Sequence, residues 1–328
     1  MTTLTAPQTD PSLSSNGLVR AGGDFLTITN LSQEGLFEII GLSAQVKSEP
    51  QRFADSLKGT SVALLFEKPS LRTRAAFEVG INKLGGHAVY FDHNAGRLGE
   101  RESVSDYAKN LERWFGLIVA RTYSHESITE LAEASEVPVI NALSDLSHPC
   151  QALADVLTLS EHMGGLGSLK GEKIVFVGEG NNVCCSLIRT LALCGSEVVV
   201  ISPEGYEPRE QVIDEVTRSA EKHAGSFTAT SDLSLAAGAR AIYTDVWTSM
   251  GSEDSATTRI AAFTPYQVNA DLIALADPKS LFLHCLPAKR GQEVTDAVID
   301  GPGSVVFDQA ENRMHTQNAV LLRLLGQA

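Results

Sequence analysis

The amino-acid sequence predicts an α/β protein with two domains, each a mainly parallel sheet flanked by helices. Short runs rich in β-branched residues alternate along the chain with segments whose apolar residues recur at helical spacing. The chain has 328 residues, whereas domains usually contain roughly 100–200 residues. The strand-like runs are also too numerous for one compact sheet, so two domains are expected.

The first half alternates between strands and helices. Residues 61–66 are an apolar run typical of a buried strand, and a helix is expected from Ser70 to about Leu84. Residues 87–91 form the next strand. Ser103 then begins a helix, because Asp106 stands three residues later as in an N-cap pairing. The remaining elements are a strand at 117–120, a helix near 127–134, a strand at 139–140 and a helix after Pro149.

The second half continues this alternation. Strands are expected at 173–177, 197–201, 241–246, 281–283 and 304–307, and an amphipathic segment covers about 316–325. Gly164-Gly165-Leu166-Gly167 interrupts a helical pattern near the expected domain border. The predicted organisation is a flexible tail (1–18), a first domain (19–155), a second domain (156–310) and a last helix (about 311–328) that can pack back on the first domain.

Composition and charge exclude several classes of function. With 40 acidic and 26 Lys and Arg residues, the net charge is −14, which argues against nucleic acid or an anionic membrane as partner. Neither a signal peptide nor an apolar stretch of about 18–20 residues is present. The five cysteines are irregularly spaced and include no CxxC pair. We therefore expect a reduced, cytoplasmic protein without a metal.

The first candidate site is the run Phe66-Glu67-Lys68-Pro69-Ser70-Leu71-Arg72-Thr73-Arg74, where a strand ends and a helix begins. The first amides of a helix have no partner within the helix, and they bind anions readily. Two hydroxyls and two guanidiniums within five residues add donors that suit a phosphate. The alternative is an ordinary capped helix with solvated arginines and an Arg74–Glu78 pair.

A second set of donors follows other strands. Arg121 comes directly after the run at 117–120, and His148-Pro149-Cys150-Gln151 comes before a helix. Pro149 favours a non-helical His148 and places Gln151 in the first helical turn. Arg121, His148 and Gln151 can converge on a carbonyl oxygen and stabilise an oxyanion. The alternative for His148 is a capping or core histidine.

The run Ser70–Arg74 resembles the carbamoyl-phosphate signature of the aspartate/ornithine carbamoyltransferase family. Arg121-Thr122 and His148–Gln151 agree with that family in order and spacing. Two further segments resemble its ornithine-specific members, namely Asp245-Val-Trp-Thr-Ser249-Met250-Gly251 and His284-Cys285-Leu286-Pro287. The similarity also includes 178–182 and 311–313, so it covers nearly the whole chain after the tail.

The resemblance implies transfer of a carbamoyl group from carbamoyl phosphate to the δ-amine of L-ornithine, in a cleft between the domains and without a cofactor. The product would be L-citrulline, in arginine biosynthesis or catabolism. The family pattern implies a homotrimer or a multiple of it. It also implies that Leu286-Pro287 is a cis peptide and that Cys285 acts without covalent chemistry.

The resemblance also assigns residues to three roles. The expected carbamoyl-phosphate contacts are Ser70, Leu71 through its backbone, Arg72, Thr73, Arg97, Arg121, His148, Gln151, Cys285, Leu286 and Arg313. The expected ornithine contacts are Asn182, Asp245, Ser249 and Met250. The expected catalytic set is Arg121, His148, Gln151, Asp245 and Cys285.

Two positions depart from the family pattern. Arg97 stands where members usually carry a glutamine that reaches a neighbouring subunit's carbamoyl phosphate, and the reach and charge of arginine differ from those of glutamine. The role of Arg97 is therefore open. Glu179 stands where aspartate is commoner, and we expect little effect from this change.

The sequence also allows other interpretations. Gly178-Glu179-Gly180 follows a strand as in a dinucleotide fingerprint, although Val183 replaces the third glycine. His284 and Cys285 are adjacent, but neighbours on a strand point to opposite faces, which argues against a thiol-protease pair. Among functions, a carbamoyltransferase for another amine such as putrescine, or a non-catalytic relative that binds carbamoyl phosphate, are the alternatives.

Overall fold

The structure is a computed structural model that describes residues 21–29, 31–92, 97–247 and 256–328. The chain forms two compact units. The first comprises the chain up to Cys150 together with His315–Ala328, and the second comprises Gln151–Met314. Each unit contains its own parallel sheet, so the predicted fold class is confirmed. The expected flexible tail, 1–18, lies outside the described residues, and the predicted borders after residues 155 and 310 stay predictions.

The first unit contains a four-stranded sheet in the order β2-β1-β3-β4, with every pair of neighbours parallel. Its strands are β1 (Ser61–Phe66), β2 (His87–Asp92), β3 (Leu117–Arg121) and β4 (Val139–Leu143). Its helices are α1 (Gln33–Ser48), α2 (Leu71–Lys83), α3 (Val104–Leu111) and α4 (His125–Ala134). Because the strands are parallel, the segments that follow β1, β3 and β4 all lie at the same edge of this sheet.

The second unit contains a five-stranded parallel sheet in the order β7-β6-β5-β8-β9. Its strands are β5 (Lys173–Val177), β6 (Glu197–Ile201), β7 (Ser226–Thr230), β8 (Ala241–Thr244) and β9 (Leu281–His284). The helices from Pro149 onward are α5 (Pro149–Met163), α6 (Asn182–Cys194), α7 (Glu210–Lys222), α8 (Ala256–Phe263), α9 (Ala270–Leu275), α10 (Asp296–Ile299) and α11 (Val306–Leu324). The borders between the units fall within α5 and α11.

The central strands of both sheets are buried, because helices cover the faces of each sheet. In the first unit, residues 62–66 of β1 and 117–120 of β3 are fully buried. In the second, Val175, Val177 and Ile201 pack against Ile242 and Val268 in one apolar cluster. These buried central strands give the segments at their carboxyl ends a rigid support.

The C-terminal helix returns to the first unit. The Gly22 amide donates to the Leu324 carbonyl at 2.9 Å, and Arg323 forms an ion pair with Glu38 of α1. Helix α2 packs closely against α11 at Gly80, where an added Cβ would lie 2.2 Å from Asn318 Oδ1. A side chain at position 80 would displace the Asn318 side chain, so glycine suits the close approach of α2 and α11.

The predicted strand at 304–307 is wrong. Ser304 makes only an isolated bridge to Phe282, and α11 begins at Val306. The β propensity of Val305 and Val306 is overridden because the Gln309 amide already donates to the Val305 carbonyl in the first helical turn. Helix α11 begins about five residues before the predicted start of the last helix at about 311. The sequence pattern places this start too late because buried polar residues in the middle of the helix hide its apolar period.

Two further differences concern the second sheet. Strand β7 was not predicted, because it is a partly exposed edge strand with little apolar content. Strand β8 ends at Thr244 instead of at residue 246, so Asp245 lies just beyond the strand.

All five cysteines are free, and four of them are buried. Across the described residues, no helix combines the length and apolar character that a membrane crossing requires.

Candidate active site

The start of α2 is built as the sequence predicts. Ser70 is the N-cap, with extended backbone (φ −157°, ψ 107°), and its hydroxyl accepts from the Thr73 amide at 3.3 Å. Leu71 directs its side chain to solvent and is 80% exposed, so only its backbone is available to a ligand at the helix start. The first-turn amides and the positive end of the helix dipole form an anion-binding arrangement.

Strand β3 brings Arg121 to the same place. Phe66, the last residue of β1, pairs in register with Arg121, and Arg121 Nη1 donates to Thr73 Oγ1 at 3.5 Å. Burial lowers the pKa of Lys68, and the positive charge of Arg121 lowers it further. Crowded cations of this kind are stabilised by an anion among them. Lys68 lies within the run predicted as the first candidate site, two residues before the helix cap, but the sequence assigned it no ligand contact.

Arg97 lies at this edge as well. The buried carboxylate of Glu67 accepts from the Leu98 amide through Oε1 and from the Tyr123 amide through Oε2, each at 2.7 Å. The Arg97 guanidinium carbon then lies 4.7 Å from the centre of the Tyr123 ring, and Lys68 Nζ lies 4.5 Å from it. Glu67 thus holds the segment that brings Arg97 beside Lys68.

A tight turn after β4 leads to His148. The Ser144 amide donates to the Ser147 carbonyl at 2.9 Å, and the Ser147 amide donates to Ser144 Oγ at 3.2 Å. His148 is 4% exposed, and α5 begins at the next residue, Pro149. The predicted helix start is therefore confirmed, with Gln151 in its first turn.

In the second unit, three neighbouring strands deliver the remaining residues. The segments after β5, β8 and β9 meet because these strands are adjacent and parallel. Asp245 Oδ2 accepts from Asn181 Nδ2 at 3.0 Å. Its Oδ1 accepts from the Cys285 thiol at 3.1 Å and from the Val246 amide at 2.8 Å. Both carboxylate oxygens are thus fixed in direction before any ligand arrives.

The Cys285 thiol is a hydrogen-bond donor in this arrangement. Burial raises the pKa of the Cys285 thiol well above its usual range, and the negative charge of Asp245 raises it further. The neutral thiol is the form that can donate to Asp245. Since the thiolate is the nucleophilic form of cysteine, Cys285 is unsuited to attack a substrate.

His284 supports the loop beyond β9. Its Nδ1 accepts from the Leu286 amide at 2.8 Å, so the ring proton is on Nε2, which lies 3.2 Å from Glu293 Oε1. Leu286 has a positive φ of 57°, and the Leu286-Pro287 peptide is cis, as the sequence resemblance implied. Both ring nitrogens of His284 are engaged away from Cys285, which excludes a thiol-protease pair.

Ligand-capable atoms of Asp245, His284 and Cys285 lie within 4.8 Å of one another among the described residues. A metal would need their lone pairs. The His284 ring already serves Leu286 and Glu293, and the Cys285 thiol retains its proton for Asp245. The three residues therefore fit a hydrogen-bonded support better than a metal site.

Two family models match the chain. The carbamoyl-P binding domain of aspartate/ornithine carbamoyltransferase matches residues 23–161, and the Asp/Orn binding domain matches residues 170–324. The chain belongs to the aspartate/ornithine carbamoyltransferase family. The resemblance inferred from the motifs is thereby confirmed, and this family's members are enzymes that transfer carbamoyl groups.

Similar members are known as sequences and as structures. The ornithine carbamoyltransferase of Shewanella oneidensis is 51% identical over 302 residues, which cover 92% of this chain and 99% of the relative. The structure of ornithine carbamoyltransferase from Pyrococcus furiosus aligns with a TM-score of 0.89 at 46% identity, over 93% of this chain and 98% of that one. An anabolic ornithine carbamoyltransferase from Campylobacter jejuni aligns with a TM-score of 0.86 at 31% identity, over 93% and 99%.

The residues that the carbamoyltransferase pattern nominates divide between the two units. The first unit holds Ser70, Leu71, Arg72, Thr73, Arg97, Arg121 and His148, and the second holds Gln151, Asn182, Asp245, Cys285, Leu286 and Arg313. Ser249 and Met250 lie outside the described residues. Arg313 is 3% exposed, so it is not a charge on a helix surface. The ligand contacts of all these residues stay predictions.

One neighbour of the carbamoyltransferase motif was missed. Asn181 donates to Asp245, and Asn181 also caps α6 by accepting from the amides of Val183 and Cys184. Asn182 begins the helix and accepts from the Val183 amide at 3.0 Å. Its predicted contact with ornithine is untested.

Glu179, the second departure from the carbamoyltransferase pattern, has a specific partner. Its carboxylate forms an ion pair with Arg259 of α8, and Arg259 Nε also donates to the Trp247 carbonyl at 3.0 Å. Glu179 therefore ties the segment after β5 to residues on both sides of 248–255.

The dinucleotide interpretation fails at Gly180. The second glycine of that fingerprint lets a pyrophosphate approach the backbone. Here an added Cβ at Gly180 would lie 2.1 Å from Pro208 N, and the Gly180 amide donates to the Tyr206 carbonyl. Gly180 is thus required for packing against the 206–208 segment, which occupies the space that a pyrophosphate would need.

Proposed function

We propose that this protein transfers the carbamoyl group of carbamoyl phosphate to the δ-amine of L-ornithine, giving L-citrulline and phosphate. The observation that carries the proposal is the anion-binding start of α2 with Arg121 beside it, in a chain that matches ornithine carbamoyltransferases over nearly their whole length. The Asp245 carboxylate in the second unit supplies the complementary charge for an amino acid.

Residues of the first unit, together with Gln151 in the first turn of α5, suit the donor substrate. The amides at the start of α2, the hydroxyls of Ser70 and Thr73, and Arg72 bind the phosphate dianion. Arg121, His148 and Gln151 donate to the carbamoyl carbonyl oxygen. These donors stabilise the oxyanion that develops when the carbonyl carbon becomes tetrahedral.

The second unit's residues suit the acceptor. Asp245 attracts the α-ammonium of ornithine, and each of its oxygens has lone-pair capacity beyond the present hydrogen bonds. The neutral δ-amine attacks the carbamoyl carbon, so a C–N bond forms while the bond from that carbon to the phosphate oxygen breaks. The amine proton leaves with phosphate or passes to solvent. Phosphate is a good leaving group, which makes a cofactor unnecessary.

Assembly and compartment remain proposals that the family resemblance supports. We expect a homotrimer or a multiple of it, in the cytoplasm. Light scattering coupled to size-exclusion chromatography measures the mass of the assembly, to be compared with 35.1 kDa for one chain. A monomer at micromolar concentration would contradict the trimer.

The decisive test is product formation by the purified protein with carbamoyl phosphate and a panel of amines. The panel contains L-ornithine, putrescine, L-lysine, N-acetylornithine and L-aspartate. We expect citrulline and phosphate in equal amounts with ornithine and far lower turnover with the others. Preference for another amine would contradict the ornithine assignment, and no turnover with any amine would favour a non-catalytic binding protein.

A pair of variants tests the phosphate assignment. Arg72→Ala should raise the KM for carbamoyl phosphate by about 100-fold, since a charge-assisted contact to phosphate is lost. Lys109→Ala, on α3 and outside the proposed site, is the matched loss of a cation and should change it less than about 2-fold. Equal losses in both variants would overturn the assignment.

A further inference from the structure

A buried carboxyl group stands behind Gln151. Asp155 is on α5, one turn after Gln151, and is fully buried. Its Oδ1 accepts from Gln151 Nε2 at 2.8 Å and from Gln309 Nε2 at 2.7 Å. Residues four apart on a helix lie on one face, so α5 itself places the carboxyl group against the Gln151 amide.

The hydrogen bonds continue from Asp155 to the loop that contains Cys285. Gln309 Oε1 accepts from the His284 backbone amide at 3.0 Å. A backbone N–H can only donate, which fixes the direction of the Gln309 amide and leaves its Nε2 for Asp155. One carboxyl oxygen thus joins the start of α5, the start of α11 and the end of β9, all within the second unit.

Fold stability alone does not account for Asp155. Its Oδ2 makes no hydrogen bond of good geometry among the described residues, and burial of a poorly paired polar oxygen costs free energy. The Tyr243 hydroxyl lies near Asp155 and is likewise buried without a hydrogen bond of good geometry. An apolar residue of the same shape would avoid this cost, and costly buried groups of this kind concentrate at functional sites.

We propose that Asp155 is a positioning residue for carbamoyl transfer, whose Oδ1 fixes the Gln151 amide and, through Gln309, the backbone that presents Cys285. This inference rests on the proposed function. Gln151 keeps Oε1 unpaired among the described residues and retains one N–H of Nε2 for a substrate. A misdirected amide at a reacting centre costs rate, because errors of about 1 Å reduce turnover by about 100-fold.

Two substitutions distinguish the role of Asp155 as a hydrogen-bond acceptor from the role of its negative charge. Asp155→Leu has a similar shape and removes Oδ1, so kcat for citrulline formation should fall about 10- to 100-fold with smaller changes in both KM values. Asp155→Asn keeps Oδ1 and should retain kcat within about 5-fold. If Asp155→Asn loses as much turnover as Asp155→Leu, the acceptor role is overturned.

Thr158→Val is the matched control. Thr158 is fully buried on the same helix, and its hydroxyl accepts from Asn312 of α11 at 2.9 Å, so the variant removes one α5–α11 hydrogen bond about one turn further along. We expect kcat within about 2-fold of wild type and a comparable or smaller loss of thermal stability than Asp155→Leu. Loss of turnover equal to that of Asp155→Leu would indicate a merely structural role.

A double-mutant cycle shows whether Asp155 acts through Gln151. Gln151→Ala should lower kcat by about 100-fold, and adding Asp155→Leu should lower it by less than about 3-fold more, since the amide to be positioned is gone. Additive losses would overturn the proposal. If Asp155→Leu does not fold, Asp155→Ala takes its place in both comparisons. Absence of citrulline from the wild type would instead overturn the proposed function, which distinguishes the two failures.

Discussion

The carboxyl ends of the two sheets are built from different kinds of residues. At the first, Ser70, Thr73 and Lys68 come from one short run, and Arg121 joins them from the neighbouring strand. At the second, Asp245 is held by Asn181 and Cys285 from two other strand ends. A phosphate is bound largely by backbone amides at a helix start, whereas a directed carboxylate needs partners that only the folded sheet brings together.

This contrast predicts where mutations cost affinity and where they cost rate. The largest effect is expected at the end of β4. His148→Ala should lower kcat by about 100- to 1000-fold at saturating substrates, because a contact that strengthens in the transition state is lost. Steady-state kinetics with both substrates above ten times KM measure this. Turnover unchanged from wild type would remove His148 from oxyanion stabilisation.

A mutation at the carboxyl end of the second sheet should change the KM for ornithine. Asp245→Asn removes the negative charge, and we expect the KM for ornithine to rise by about 30- to 100-fold with little change in the KM for carbamoyl phosphate. Asp277→Asn is the control, since Asp277 pairs with Arg240 shortly before β9 begins, at the opposite edge of the same sheet. A defect confined to carbamoyl phosphate would contradict the division between the edges.

The pKa of Asp155 makes a prediction about stability. Burial raises it to about 7 from 3.8, against the hydrogen bonds of Gln151 and Gln309 and the charge of Arg313. The folded state therefore holds this proton more tightly than the unfolded state. As pH rises from about 4 to about 7, the free energy of unfolding should fall by up to about 4 kcal/mol from this group, and it should not change further above that range.

Asp155→Asn cannot titrate and serves as the reference for that measurement. Denaturant unfolding of both proteins between pH 5 and pH 8 gives the difference in unfolding free energy at each pH. The groups nearest Asp155 that carry charge or titrate (Arg313, Tyr243 and Cys285) are common to both proteins, so their contributions largely cancel. A difference independent of pH would show that Asp155 is ionised throughout.

The smallest effect is expected at Arg97. Its guanidinium lies over the Tyr123 ring together with Lys68 and is exposed, so Arg97→Gln should raise the KM for carbamoyl phosphate by only about 3- to 10-fold. The kcat should not change. Measuring both constants at two salt concentrations sharpens the test, because a charge contact weakens with salt. An unchanged KM would make Arg97 a bystander.

Local patterns in the sequence determined much of this protein. The apolar runs specify the central strands β1, β3, β5 and β6, because a strand buried on both faces is apolar throughout. Ser70 and Pro149 specify the starts of α2 and α5 through capping and backbone restriction. Each of these depends on residues close together in the chain, and each was predicted.

Tertiary structure decided what depends on distant partners. Ser304–Phe307 was predicted as a strand, but its end lies in α11, whose buried polar residues hide the helical period. Asn181 reached Asp245, and Asp155 reached Gln151 and Gln309, through contacts that span up to 154 positions. Burial determines the pKa of Asp155, and a side chain's burial follows from the packing of elements far apart in sequence, which no local pattern contains.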